Sequence, residues 1–481
     1  MAAQDPKEYQ LSIARFIGVN QALEENDISF EYAVTAKNAI TETGVLRPVK
    51  GCSAMYTAPA GCSIESAVIY YHDNNDGSTT QYILAGVRRT GGVFDLLAWD
   101  PNAWSWSSIK GDEELHSANF ESVTYLAGST SMCILANGAD DLYKWAGSGT
   151  IEKLYYRDEE THAPRAAALA LHYERIWATG VNSNPESLFY SDDMNPEGWT
   201  SGTDAAGEIQ LLTYTGDRFV AVKNIMDDVV AFKERSIHRI VGTYPGEYQA
   251  VQVYTGEGTI APKSICTGNG AAFFLSADGI YTYSGMTADR LQPKALYNFY
   301  GKIWNAQSAC GIVHKNKLYM AVPTERSWGD SNDTVIVYDL DTGAFQLLEL
   351  PIELGVRNWL DGGDALWFAA GSGIYAIDNS EDYAGQAIDM EWITPMSDLG
   401  MRNTDKRIST VYITGRGGDL EVVAKADHRR KSKVIVLPDG MAVKRLRFSV
   451  HGRRIGLELR NVQGSMPEVS GITVVYEQNE D

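Results

Sequence analysis

A pair of apolar strand segments that returns about every 46 residues constrains this chain more than any other feature. The second member of each pair is a short aromatic or apolar run: Leu96–Trp99, Asp141–Trp145, Leu188–Tyr190, Ile237–Ile240, Gly279–Tyr283, Val335–Tyr338 and Gly373–Ile377. The first member lies just upstream: Gln81–Ala85, Ser131–Leu135, Arg175–Ala178, Asp228–Phe232, Ala272–Leu275, Lys317–Ala321 and Ala365–Ala369. Polar or glycine-containing turns separate the two, most clearly Asn137-Gly138, Asp278-Gly279 and Gly371-Ser372-Gly373, so each pair reads as a β-hairpin. A period of about 40–50 residues is that of four-stranded propeller blades. Such blades bury their faces only against neighbours and must close into a ring.

Seven hairpins between Cys62 and Tyr383 predict an all-β fold with a β-propeller of about seven blades. Six or eight blades stay open, because the stretch 240–338 is irregular, and an array of β-sandwiches is the alternative. After Glu381 the pattern changes. Met390–Ile393, Ile408–Ile413, Leu420–Ala424, Lys433–Leu437, Lys444–Val450, Arg454–Leu459 and Ile472–Tyr476 read as seven strands, enough for a C-terminal β-sandwich. Within Leu446–Val450 apolar and polar residues alternate, which places them on opposite faces. The opening 60 residues are too few for a core of their own and are expected to complete this sandwich. The expected division is an N-terminal segment 1–61, a propeller 62–385 and a sandwich platform 386–481. Helix signals are few. The four-residue spacing of Ile28, Tyr32 and Ala36 predicts a helix over Glu24–Lys37, and a helical turn is expected within Pro293–Trp304.

Charge and composition exclude several functions. With 62 Asp+Glu against 41 Lys+Arg the net charge is −21, which would repel nucleic-acid phosphate and anionic lipid in a general coat protein. The five cysteines are odd in number and widely spaced, with no C-x-x-C, so they are expected as buried thiols and not as a disulfide framework or zinc ribbon. The charged N-terminus does not read as a signal peptide, and no apolar run reaches the roughly 18 residues of a membrane span, so no membrane insertion is expected. One segment inverts the balance. Residues 402–460 hold 15 Lys+Arg and 6 Asp+Glu, a local +9. Arg429, Arg430, Lys431, Lys433, Lys444, Arg445 and Arg447 concentrate on two adjacent strands and are the candidate interface for an acidic partner or for DNA phosphates. Solvated surface charge is the simpler reading.

The residues of familiar chemistry are missing or misplaced. None of the eight histidines stands four residues from another, and there is no G-x-x-x-x-G-K-[ST] or G-x-S-x-G. Gly415–Asp419 reads as a hairpin turn. Paired carboxylates Asp192/Asp193, Asp227/Asp228, Asp330/Asp333 and Asp339/Asp341 fall in or beside turns, where aspartate caps its own backbone more readily than it serves as a general acid. Ser191–Trp199 resembles the Asp-box turn of sialidases, with longer spacing. Asp73–Gly77 lacks the ligand spacing of a calcium loop. No catalytic residue, metal or cofactor is assigned.

Several stretches together carry a family likeness: Phe16–Asn20 with Ala36–Asn38 and Gly44–Gly51; Leu171–Gly180 with Leu188–Ser191 and Trp199; Phe232–Gly242 and Phe274–Gly285; and Gly452–Asn461 through Gly471–Tyr476. In these the chain resembles the tail hub or nozzle proteins of short-tailed bacteriophages, which include the packaged-DNA stabilisation proteins. The resemblance implies a non-enzymatic virion protein, assembled in the host cytoplasm into a ring, expected as a hexamer. That ring would sit in the tail below the portal and adaptor, retain packaged double-stranded DNA and anchor fibres or spikes. A carbohydrate-binding or glycan-hydrolysing propeller is the competing expectation.

Overall fold

The computed structural model describes residues 7–22, 24–127, 130–154, 163–202, 205–212, 216–256, 258–292 and 295–479. Six four-stranded antiparallel sheets follow one another, each a simple meander. They span Cys62–Ser108, Glu121–Lys153, Ala168–Gln210, Phe219–Thr255, Cys266–Arg290 and Cys310–Glu349. This succession is that of β-propeller blades. A further meander, Asn358–Asp361, Leu366–Ala370 and Gly373–Ser380, takes its next strand from far upstream. Gly51–Thr57 pairs antiparallel on Gly373–Ser380, with Tyr56 opposite Ile374.

The seven expected hairpins are the two middle strands of these sheets, in registers such as Trp177 opposite Tyr190 and Phe274 opposite Tyr281. Middle strands are covered on both faces by neighbouring sheets. All five residues of Arg175–Thr179 are buried, as are five of the six in Lys317–Val322. Burial on both sides explains why they read as continuous apolar runs and not as alternating ones. Each apolar cluster bridges neighbouring sheets. Tyr70 and Leu96 of the first sheet pack with Cys133 and Trp145 of the second. Ile64, Ile83 and Leu97 of the first pack with Leu360, Ala369 and Ile374 of the last, which closes the circuit. At that seam Asn358 acts as a clamp. Its Oδ1 accepts from the Ala67 amide at 2.8 Å, and its Nδ2 donates to the Ala67 carbonyl.

The C-terminal strands form two sheets around one core. One orders Lys7–Ile13, Glu468–Asn479, Asp405–Arg416 and Ala442–Gly452. The other orders Thr35–Lys37, Glu391–Ile393, Ile455–Asn461, Gly418–Ala426 and Arg429–Leu437. The same core reaches Phe16 of the N-terminal segment and Phe273 and Phe345 of the fifth and sixth sheets. Phe16 meets Trp392 edge to face at 5.5 Å between ring centroids. The connection from Asp405–Arg416 into Gly418–Ala426 turns through Gly417 and Gly418 at φ 69° and 107°, a left-handed path that glycine follows without Cβ strain. Among the described residues no helix is long and apolar enough to cross a membrane.

Two sequence expectations need correction. Glu24–Lys37 is not a helix: it holds a 3-10 turn at Glu25–Asp27 and the strands Tyr32–Ala33 and Thr35–Lys37. Ile28, Phe30, Tyr32 and Val34 also alternate with period two. The strand wins because Thr35–Lys37 gains a partner, with Ala36 opposite Trp392, and because no side chain caps a helix start there. The N-terminal segment also does more than cover the C-terminal sheets, since Gly51–Thr57 belongs to the last sheet of the propeller. The helical turn expected in Pro293–Trp304 is Tyr297–Tyr300, and Pro293 itself lies outside the described residues. Residues 1–6 of the expected N-terminal segment lie outside them too.

Candidate functional site

The candidate cations sit on two edge strands. Arg429–Leu437 ends the five-stranded sheet and Ala442–Gly452 ends the four-stranded one. The hairpin that carries the first is fixed at its tip by Asp427, a non-glycine residue at φ 48°. Its carboxylate accepts the amides of Arg453 at 2.8 Å and Arg454 at 3.0 Å. Burial works against its charge, but these amides prevail and hold its pKa below the ordinary carboxylate value. The strand leaves this tip at Arg429, whose guanidinium donates to the His451 carbonyl at 3.4 Å.

Strand alternation divides the seven residues. Leu437 is buried and Ile435 packs on the core, so Arg429, Lys431 and Lys433 share the inward side of their strand. Lys433 places its ammonium 5.9 Å from the Phe448 ring centroid on the other edge strand, which ties the two together. Arg430 points outward beside the exposed Val434 and Val436. On the second strand Leu446, Phe448 and Val450 face in and are buried, as their alternation predicts. Lys444 shares their side and is half-buried. Arg445 and Arg447 face out, and Arg445 lies 5.8 Å from the Tyr412 ring centroid. Arg430 and the Arg445–Arg447 pair therefore project from opposite outer faces, while Arg429, Lys431 and Lys433, though exposed, lie on the inward-facing side of their strand as the half-buried Lys444 does on its own.

These cations differ from three arginines on the same sheets. Arg407 pairs with Glu477, Arg416 with Glu468 at 2.6 Å, and Arg460 with Glu391 at 2.7 Å. None of the seven has a carboxylate within 4.0 Å among the described residues. Uncompensated charge on an edge strand blocks unwanted strand pairing and is also free to meet an acidic surface. The exposed Val434, Val436, Met441 and Val443 add an apolar contribution that a charge count does not reveal.

The other motifs resolve into turns. Asp339 Oδ1 accepts from the amides of Asp341 at 3.0 Å and Thr342 at 2.8 Å. In the sialidase-like stretch the Asp192 amide donates to the Gly198 carbonyl at 2.8 Å, and Trp199 Nε1 to the Pro196 carbonyl at 2.9 Å. Asp73 and Asp76 accept amides of their own loop. Asp333 is buried and accepts the hydroxyls of Thr324 and Thr334 at 2.7 and 2.9 Å. All five cysteines are free thiols, and burial pushes Cys52, Cys133 and Cys310 up to about 12. Among the described residues no three His, Cys, Asp or Glu side chains gather as a metal site.

No family model matches this sequence, and no curated protein matches it. Among solved structures, the chain is similar to a computationally designed protein, Ika8, at 12% identity over 76% of this chain and 98% of that one, with a TM-score of 0.38. It is similar to YCF48 bound to a D1 peptide at 9% identity over 68% and 97%, with a TM-score of 0.40. It is also similar to XC5397 of Xanthomonas campestris, described as a gluconolactonase, at 10% identity over 69% and 99%, with a TM-score of 0.32.

Proposed function

We propose that this chain is a structural subunit of the tail hub or nozzle of a short-tailed bacteriophage. In this reading the six four-stranded sheets and the sheet completed by Gly51–Thr57 are seven blades of one propeller, and the two C-terminal sheets are a β-sandwich platform. Copies assemble into a hexameric ring below the portal and adaptor. The ring surrounds double-stranded DNA without reading its sequence, retains the packaged genome and anchors fibres or spikes. The subunit performs no catalysis, binds no cofactor, and is assembled in the host cytoplasm into the virion tail.

The observation that carries this reading is the set of seven uncompensated cations at one edge of a chain with a net charge of −21. A basic edge on an acidic body suits docking to an acidic ring, and an acidic body lets DNA slide without sticking. The rival reading, a glycan-binding or glycan-hydrolysing propeller, has less support. Asp339 and Asp192, two of its candidate carboxylates, accept backbone amides of their own turns.

Light scattering with and without a portal–adaptor ring is the test. A 52.9 kDa chain that joins the ring in six copies bears the reading out. A chain that ignores the ring while hydrolysing or binding glycans overturns it.

A further inference from the structure

At the centre of the propeller, the first strands of the blade sheets, or the residues just before them, surround a cavity of about 670 Å³. That volume is typical of small-molecule sites. Most of the charged groups in its wall are already engaged. Lys223 pairs with Glu121. Glu65 lies 3.5 Å from Arg88, and Asp361 lies 3.5 Å from the His314 ring. Asp330 also lines the wall. Lys263 and Arg357 are different. Both face the cavity, and neither has a carboxylate within 4.0 Å among the described residues.

The two cations line one cavity; burial, and after it Arg357, disfavour a charge on Lys263, and Glu65 of the same wall offsets this only in part. Two like charges facing one cavity are costly unless an anion joins them. Cys310 adjoins both, but burial keeps its thiol neutral, so it supplies no counter-charge. The backbone that presents the pair is held firmly. Lys263 lies in the 3-10 turn Pro262–Ser264, where Ser264 Oγ donates to the Ala261 carbonyl at 2.7 Å and accepts the Leu275 amide at 3.0 Å. The Arg357 amide donates to the Ala369 carbonyl at 2.8 Å, and the next residue is the seam clamp Asn358. On the other side Asn332 Nδ2 ties the Ser308 and Val356 carbonyls at 2.8 and 2.6 Å.

We propose that this central cavity binds a small molecule through an oxyanion, a carboxylate or a phosphate group, held between the Lys263 ammonium and the Arg357 guanidinium. The guanidinium offers a two-pronged donor edge and the ammonium a point charge, a combination that suits a planar or tetrahedral oxyanion. The rest of the cavity takes the ligand's body.

Titration calorimetry of the whole chain with inorganic phosphate and, separately, with acetate tests this. At least one anion saturates at one per chain. Lys263→Met and Arg357→Gln each weaken that binding tenfold or more, and Arg430→Gln on the distant basic edge leaves it unchanged. A tenfold preference for phosphate assigns a phosphoryl ligand, and the reverse preference a carboxylate. Absence of saturable binding by either anion overturns the proposal, as does binding that survives both substitutions or that Arg430→Gln removes. Arg357 is exposed, so its substitution spares the core and keeps the test open should Lys263→Met misfold.

Discussion

Lys263 shows what one side chain costs when its charge has no partner. Burial pushes its ammonium down from the ordinary 10.5 to about 8. Arg357 adds to the effect, while Glu65 opposes it. The unfolded chain therefore binds more protons than the folded one between about pH 8 and 10.5, and stability contributed by this group rises with pH across that window. Below pH 8 the charged lysine is a standing penalty. Lys263→Met is expected to stabilise the chain at pH 7 by about 1 kcal/mol, discounted for its partial exposure. The gain should fade above about pH 10.5. Urea denaturation at pH 7 and pH 10.5 measures it, and equal gains at both would show that packing, and not charge, is responsible.

At the scale of elements, the two basic edge strands make a prediction that one patch would not. Because Arg430 and the Arg445–Arg447 pair project from opposite faces, a flat acidic partner can engage one of them but not both. Arg430→Glu and the double reversal Arg445→Glu/Arg447→Glu should differ in effect. On the proposed tail-hub reading, one should weaken docking to the portal–adaptor ring by about tenfold at low salt, where attraction is least screened. Equal losses would point instead to long-range attraction by the whole edge. This division was not legible in the sequence, since it depends on which residues of Arg429–Leu437 pack inward. Other features were legible for physical reasons. The middle strands of the blade sheets announce themselves because burial on both faces demands unbroken apolar runs, as at Ile176–Ala178. Outer strands such as Ser105–Ser108 and Gly207–Gln210 are short, polar and largely exposed, so they leave no such trace. The segment 24–37 carried apolar spacings of both periods, and a partner strand from residues 391–393 decided between them. Lys263 and Arg357 line one cavity only because the ring brings together the segments that lead into the fifth and seventh sheets, which no local pattern encodes.

At the scale of the molecule, closure depends on a few long-range contacts. Asn358 satisfies both the amide and the carbonyl of the buried Ala67 across the seam between last and first sheets. Asn358→Ala removes both of these hydrogen bonds from the buried Ala67 backbone and is expected to cost about 2 kcal/mol. Hydrogen exchange should show it as early opening of Asn358–Asp361 and Cys62–Asp73, ahead of the third and fourth sheets. Uniform exchange across all the sheets would mean that the seam is no weaker than the rest.

The strand Gly51–Thr57 has a consequence in time as well as in space. Its partner across the ladder, Ile374, follows Tyr56 by 318 residues. At roughly 5–20 residues per second, a ribosome needs about 16–60 s to supply it. Throughout that interval the strand made early waits for its partner while the sheets between them fold one after another. The last sheet then finds its missing strand ready, and the circle is drawn shut by the beginning of the chain. A nascent chain stalled short of residue 373 would present two open sheet edges at once, which makes the interval before residue 373 is made the period when this protein most needs a chaperone.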